Sequence, residues 1–244
     1  MPFWSELTHA NFREVASKTE IVIMVTGAME AHGKHLPLST DSLLPAYLAE
    51  KVAERTNVLV LPTIPFGDSW VFDKFEGTIS ISPEVLINFY ASIMEGIFKH
   101  GFRYIIVLNG HGGNIPEISL AATKATEQGQ RVVIIVNWWN DLAEAARKLV
   151  EETPGGHAAE DETSEVMHVR PDLVDMKKAE SHRVKSKFRI ISGIYREDLL
   201  PSAMYGDPRK ANSEKGRLIM EQAEEDLIAL IRQLEQGKLP IEQE

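Results

Sequence analysis

The sequence predicts an α/β protein of three layers, α/β/α, around a mostly parallel central sheet. Three observations carry that expectation. Four apolar, β-branched runs recur through the first 137 residues. Longer amphipathic stretches of helical period separate them. A chain of 244 residues suits one large domain, here residues 1–244. Strand, helix, strand, helix at this spacing is the pattern of crossover connections onto a parallel sheet.

The strand candidates are "IVIMVTG" (21–27), "NVLVLP" (57–62), "YIIVLNG" (104–110) and "RVVIIVN" (131–137). Their unbroken apolar character fits strands covered on both faces. The first helix candidate is "SLLPAYLAEKVAERT" (42–56). The second, residues 82–101, carries its own punctuation: Ser82 as N-cap, Pro83 in the first turn and Gly101 after the last. A third runs from 115 to Gly129, and a fourth from 213 to 237. Residues 138–212 are less regular, and "KLPIEQE" at the end reads as a frayed tail.

Composition narrows the function. A net charge of −10 argues against a nucleic-acid or anionic-membrane partner, and leaves a small molecule as the expected one. With no cysteine in the chain, disulfides, thiolate metal sites and a cysteine nucleophile are excluded, so any metal must sit on nitrogen and oxygen. The amino terminus has no basic n-region or apolar h-region, and no apolar run approaches membrane-spanning length. A cytoplasmic enzyme is the default expectation.

In parallel sheets ligands bind beyond the carboxyl ends of the strands. Two of those loops hold histidines. "GAMEAHGKHLPLSTD" (27–41) carries Glu30, His32, His35 and Asp41, and "LNGHGGN" (108–114) carries His111. Glu30 and His32, two residues apart on extended backbone, point to one face. Asp41 opens a helix, where it is either an N-cap or a carboxylate with two oxygens to share between two ions. The glycines around His111 let a ligand approach the backbone, although a plain strand-to-helix turn needs them too. A third cluster, "GGHAAEDETS" (155–164), offers His157 and Glu162. There Glu160, Asp161 and the following Glu165 read as the solvated acidic start of a helix, which the helix dipole favours.

Taken in order, these three blocks resemble the creatininase (creatinine amidohydrolase) family, with "FEGTIS" (75–80) matching a fourth element. The resemblance covers about residues 20 to 170. It implies a creatininase-like fold and two divalent ions per chain, Zn, Mn or Fe. Glu30, Asp41 and His111 look like the ligands of one ion. His32 and the bridging Asp41 look like those of the other. His35 is similar to a residue that orients a ligand. His157 and Glu162 match the family's catalytic block, and Ser69 falls where the family places a serine that contacts substrate. Homo-oligomers, often hexamers, are implied as well.

The departures point away from creatinine. Creatininase carries a metal-binding glutamate where this chain has Gly113. Glu162 is then the candidate to complete the second site, as a metal ligand or a proton-transfer group. The aromatic that contacts creatinine is missing from "EETPGG", although Trp138 or Trp139 offers an aromatic wall. Lys34 stands where many relatives have proline. The implied chemistry is hydrolysis at a carbonyl by water activated between two ions about 3.5–4 Å apart, with His157 shuttling a proton or polarising the carbonyl. A cyclic amide or formamide is the expected substrate. Cleavage of a C–C bond in an inositol-derived diketone is the alternative, and a non-catalytic member of the family the second. "HRVKSKFR" (182–189) reads either as an exposed edge strand or as a patch for an anionic substrate group.

Overall fold

The computed structural model describes residues 3–241. Four parallel strands form one sheet: β1 (Ile21–Thr26), β2 (Leu59–Val60), β3 (Tyr104–Asn109) and β4 (Val132–Asn137), in the order β2-β1-β3-β4. The helices are α1 (His9–Ala16), α2 (Thr40–Arg55), α3 (Pro83–Lys99), α4 (Ile115–Ala125), α5 (Trp138–Asp141), α6 (Glu144–Val150), α7 (Glu160–Val169), α8 (Arg196–Leu199) and α9 (Ser213–Glu235). None is long and apolar enough to cross a membrane, among the described residues.

The strands explain the three layers. Successive side chains alternate across a sheet, so a strand apolar at every position must be covered twice. In β1, Ile21, Ile23 and Val25 join a core built on α2, α7 and α9, while Val22 and Met24 join one built on α3 and α4. β3 divides the same way: Tyr104, Ile106 and Leu108 to one side, Ile105 and Val107 to the other. Each such aliphatic side chain contributes about 1.5–3 kcal/mol on burial. The register then sets the site. Thr26 pairs with Asn109, and Asn109 with Asn137, so three strands end at one level and release their loops together.

Several sequence expectations need correction. The second strand is two residues, not six, as befits an edge whose neighbour lies on one side only. α4 ends at Ala125 rather than Gly129, which bends the following turn at φ +71°. α2 starts at Thr40 with Ser39 as its N-cap residue, so Asp41 is not the cap. Residues 183–189 form no strand; they are exposed irregular backbone. Of the expected frayed tail, Lys238 is tied back through its N–H to the Gln233 carbonyl, and residues 242–244 lie outside the described residues. α1 has no counterpart in the sequence reading; Thr8 caps it in a reciprocal box with Asn11.

Candidate metal centre

The loops after β1 and β3 and the first turns of α2 and α7 meet at the carboxyl edge of the sheet. Two glycines make that approach feasible. A Cβ on Gly110 would stand 2.0 Å from the Asp41 carbonyl oxygen, and one on Gly27 would stand 2.5 Å from it. Both strand ends thus press against the backbone of the first turn of α2. Pro45 lies four residues on, has no N–H, and leaves the Asp41 carbonyl without a helical donor. Asn109 locks the arrangement. Its amide oxygen accepts from the Thr26 hydroxyl and the His111 N–H, and its amide nitrogen donates to the His111 carbonyl and to Asn137.

Three imidazoles share one design. His32 Nδ1 donates to the Glu30 carbonyl at 3.1 Å, and its Nε2 lies 2.8 Å from Asp41 Oδ1. His111 Nε2 donates to the Asp68 carbonyl at 2.8 Å, and its Nδ1 lies 2.8 Å from Asp41 Oδ2 and 3.4 Å from Glu30 Oε1. His157 Nε2 donates to the Ala31 carbonyl at 2.8 Å, and its Nδ1 lies 3.8 Å from Glu30 Oε1. A carbonyl only accepts, so in each ring that contact fixes which nitrogen carries the proton. The other nitrogen faces a carboxylate. Metal-binding histidines are oriented in this way.

The donor set fits divalent cations. Three groups have ligand atoms mutually within 4.8 Å: Glu30, Asp41 and His111; His32, Asp41 and Glu162; and Glu30, His32 and His157. Asp41 belongs to the first two, as a bridging carboxylate should. Both Glu30 oxygens and Asp41 Oδ2 are buried, and their close polar neighbours among the described residues are ligand-type groups such as His111 Nδ1, 2.8 Å from Asp41 Oδ2. Orphaned carboxylate oxygens cost several kcal/mol unless a cation faces them. Without ions, protons fill that role. Burial opposes charge on His32, yet Asp41 overrides it and lifts the ring to about 10. His111 is likewise lifted to about 9 by Glu30 and Asp41 against its burial. Burial pushes Glu30 up to about 7 and raises Glu162 well above the ordinary range.

A prediction follows for the metal-free protein in weak buffer at pH 7. His32 and His111 hold protons there that ligation must expel. Burial keeps part of the Glu30 and Glu162 population protonated as well, so adding Zn²⁺ or Mn²⁺ is expected to acidify the solution by at least about two protons per chain. Uptake of metal without acidification would remove these imidazoles from the ligand set.

Glu162 is placed by strain. Ala158 is held at φ +54°, and its N–H donates to Glu162 Oε2 at 2.5 Å. A non-glycine residue in that region marks a built feature. His157, one position earlier, stacks on Phe72 with ring centroids 4.2 Å apart and planes at 17°, and burial drops it to about 3, so the ring is neutral. Ser69 is buried with its hydroxyl unpartnered and lines the same cleft. His35 supports α7 rather than a ligand side chain: its Nε2 lies 3.0 Å from the Thr163 hydroxyl. Trp138 is buried in the core, and Trp139 forms the aromatic wall of the cleft.

The solvated acidic helix start is overturned. Glu160, Asp161 and Glu165 are buried. Lys215 of α9 meets Glu160 at 2.6 Å, and Arg147 of α6 meets Glu165 at 3.0 Å. The partners lie 55 and 18 positions away in the chain, too far for local charge pattern to reveal them. The Asp68 carbonyl is illegible in the sequence for another reason: a backbone acceptor leaves no side-chain signature. The cleft bounded by these groups measures 710 Å³, with Glu144, Lys148 and Glu151 on its far wall.

Comparison with known proteins agrees with the geometry. A family model described as creatinine amidohydrolase matches residues 5–231. The creatinine amidohydrolase of Pseudomonas putida is 27% identical over 251 residues, covering 95% of this chain and 96% of that one. A 3-dehydro-scyllo-inosose hydrolase of Thermotoga maritima is 29% identical over 179 residues, 70% of this chain and 57% of its own. A solved creatininase variant of Zn–Zn type superposes with a TM-score of 0.86 at 25% identity, over 95% of this chain and 97% of that one.

Proposed function

Because the chain belongs to the creatininase family, we propose that it is a hydrolase with a dinuclear metal centre acting on a carbonyl of a small cyclic amide or formamide, breaking the C–N bond. One observation carries the proposal: three imidazoles, each tied to a backbone carbonyl by one nitrogen, turn the other toward Glu30 and Asp41. Glu30, Asp41 and His111 would hold one ion, and His32, Asp41 and Glu162 the other. Divalent ions there supply Lewis acidity, which makes water a nucleophile near neutral pH and polarises a carbonyl.

The chain's own groups supply the rest. His157 is neutral, its Nε2–H is committed to Ala31, and its Nδ1 faces the cluster. That atom is free to take a proton from the attacking water and pass it to the leaving nitrogen. The unpartnered Ser69 hydroxyl donates to a substrate oxygen. Trp139 and Phe72 give the ring of a cyclic substrate apolar faces and help keep bulk water out.

Metal analysis of protein purified without added metal tests this. Wild type is expected to carry about two ions per chain and Glu162→Gln about one. Two in both would make Glu162 a proton-transfer group. A wild type that stays empty after Zn²⁺ or Mn²⁺ is added would refute the hydrolase reading. The resemblance to the inosose hydrolase supports a second reading, C–C cleavage of a cyclic polyol ketone. Turnover of ring ketones but not of amides by the loaded enzyme would select it.

A further inference from the structure

A second cavity of 920 Å³ adjoins the catalytic cleft, and the two share Asp68, Val71, Gly112 and Gly113. Its outer wall is apolar: Trp70, Ile81, Phe188 and Ile190 line it, and Phe188 is 73% exposed. Its inner end is acidic. Glu117, in the first turn of α4, lines the cavity, is 5% exposed, and has a buried Oε2 with no hydrogen-bond partner. Asp68 stands beside it, with Oδ1 accepting from the Trp70 N–H and the Ser80 hydroxyl. The cations that line the cavity do not pair with this end, and His111, beyond the glycine sill, offsets the Glu117 charge only in part. Arg196 is paired with Asp73 and donates to the Trp70 carbonyl, and Arg189 lies exposed on the segment that carries Phe188.

The sill between the cavities carries no side chain. A Cβ on Gly113 would stand 2.1 Å from the Asp68 carbonyl and 2.4 Å from His111 Nε2, so that position stays bare. A Cβ on Gly112 would meet nothing nearer than Trp139, at 3.9 Å. A ligand is therefore able to pass over Gly112 from one cavity into the other.

We propose that this groove is a substrate subsite for a protonated amine on an apolar stem, seated with the ammonium against Glu117 and Asp68 and the stem against Phe188 and Trp70. The proposal rests on the hydrolase reading and extends it: the substrate has two ends, a carbonyl at the metal cluster and a cationic arm across the glycine sill. Chemistry favours the match. A buried carboxylate oxygen without a donor gains a charge-assisted hydrogen bond from an ammonium, and aromatic faces attract the same cation. Burial also holds the empty Glu117 above the ordinary glutamate range, a penalty that a bound cation relieves.

The test reads binding alone, on the full chain stripped of metal with a chelator, so it stands apart from whether the cluster hydrolyses anything. Phenethylamine is the probe, and phenethyl alcohol its neutral counterpart. Calorimetry or ligand-observed NMR at pH 7 is expected to show saturable binding of the amine and about tenfold weaker binding of the alcohol. Glu117→Gln is expected to weaken the amine about tenfold and leave the alcohol unchanged. Phe188→Ala, at an exposed position where folding is not at stake, is expected to weaken both several-fold through lost apolar contact with the stem. Equal affinity for amine and alcohol overturns the proposal, as does an amine affinity that Glu117→Gln leaves intact; Glu117 would then serve only the amino terminus of its own helix.

Discussion

Replacing Asp41 by asparagine is expected to disable both halves of the cluster at once. Asp41 Oδ1 lies 2.8 Å from His32 and Oδ2 lies 2.8 Å from His111, so each of its oxygens faces a different imidazole at close range. Asparagine keeps the shape and one acceptor oxygen, but it loses the charge and puts an NH₂ donor where the second ion would sit. Metal content is expected to fall from about two ions per chain to below about one. Activity should drop by more than about 100-fold, the upper range for groups that merely orient ligands. The metal-free variant should keep its fold, because the burial of Leu44, Leu48 and Val52 holds α2 independently of Asp41. Two tightly held ions in Asp41→Asn would show that the carboxylate is not shared, and the pairing of Glu30 with His111 and of His32 with Glu162 would then need a different bridge.

The same residue shows how far sequence carries. Apolar runs dictated the sheet, because a strand greasy at every position can only lie between two layers; three of the four expected strands match β1, β3 and β4 to within a residue or so at each end. The edge strand came out short, since hydrophobicity tells how much of a run is buried and says nothing of how much of it pairs. In the site, Glu30, His32, Asp41 and His111 were legible because they cluster on loops that leave adjacent strands. His157 and Glu162 needed the family resemblance, and the structure adds the physical reason for their position: a left-handed Ala158 that turns its N–H onto Glu162. What stayed illegible depends on distant partners. Glu165 read as a solvated helix residue because nothing near it in sequence announces Arg147. Asp68 takes part through a carbonyl, and the acidic end of the second groove is made by residues 49 positions apart.

Arg147→Met is expected to be the most destabilising single change away from the cluster, and its cost should depend on pH. The guanidinium lies 3.0 Å from Glu165, 3.5 Å from Glu151 and 3.7 Å from Asp161, with its carbon 5.3 Å from the centre of the Trp138 ring. Methionine replaces the packing on Trp138 and removes the cation that, among the described residues, faces all three carboxylates. Stranding buried charge costs about 3–5 kcal/mol. Protonation limits that cost at low pH. Burial holds Glu165 at about 7, against an ordinary 4.5, with Arg147 opposing the rise. A carboxyl raised in the folded state favours folding below its unfolded value and loses that contribution as pH climbs through the folded one. Burial raises Asp161 and Glu151 as well, and Arg147 opposes both. Without the guanidinium all three should rise further, so the variant's deficit should widen between about pH 5 and pH 8. Urea unfolding of metal-free wild type and variant at those two pH values measures it. A deficit equal at both would mean that Arg147 acts by packing alone. A deficit that widens would show that α7, which presents Glu162 one turn earlier, is held in place by charge pairing as well as by its apolar contacts with α9.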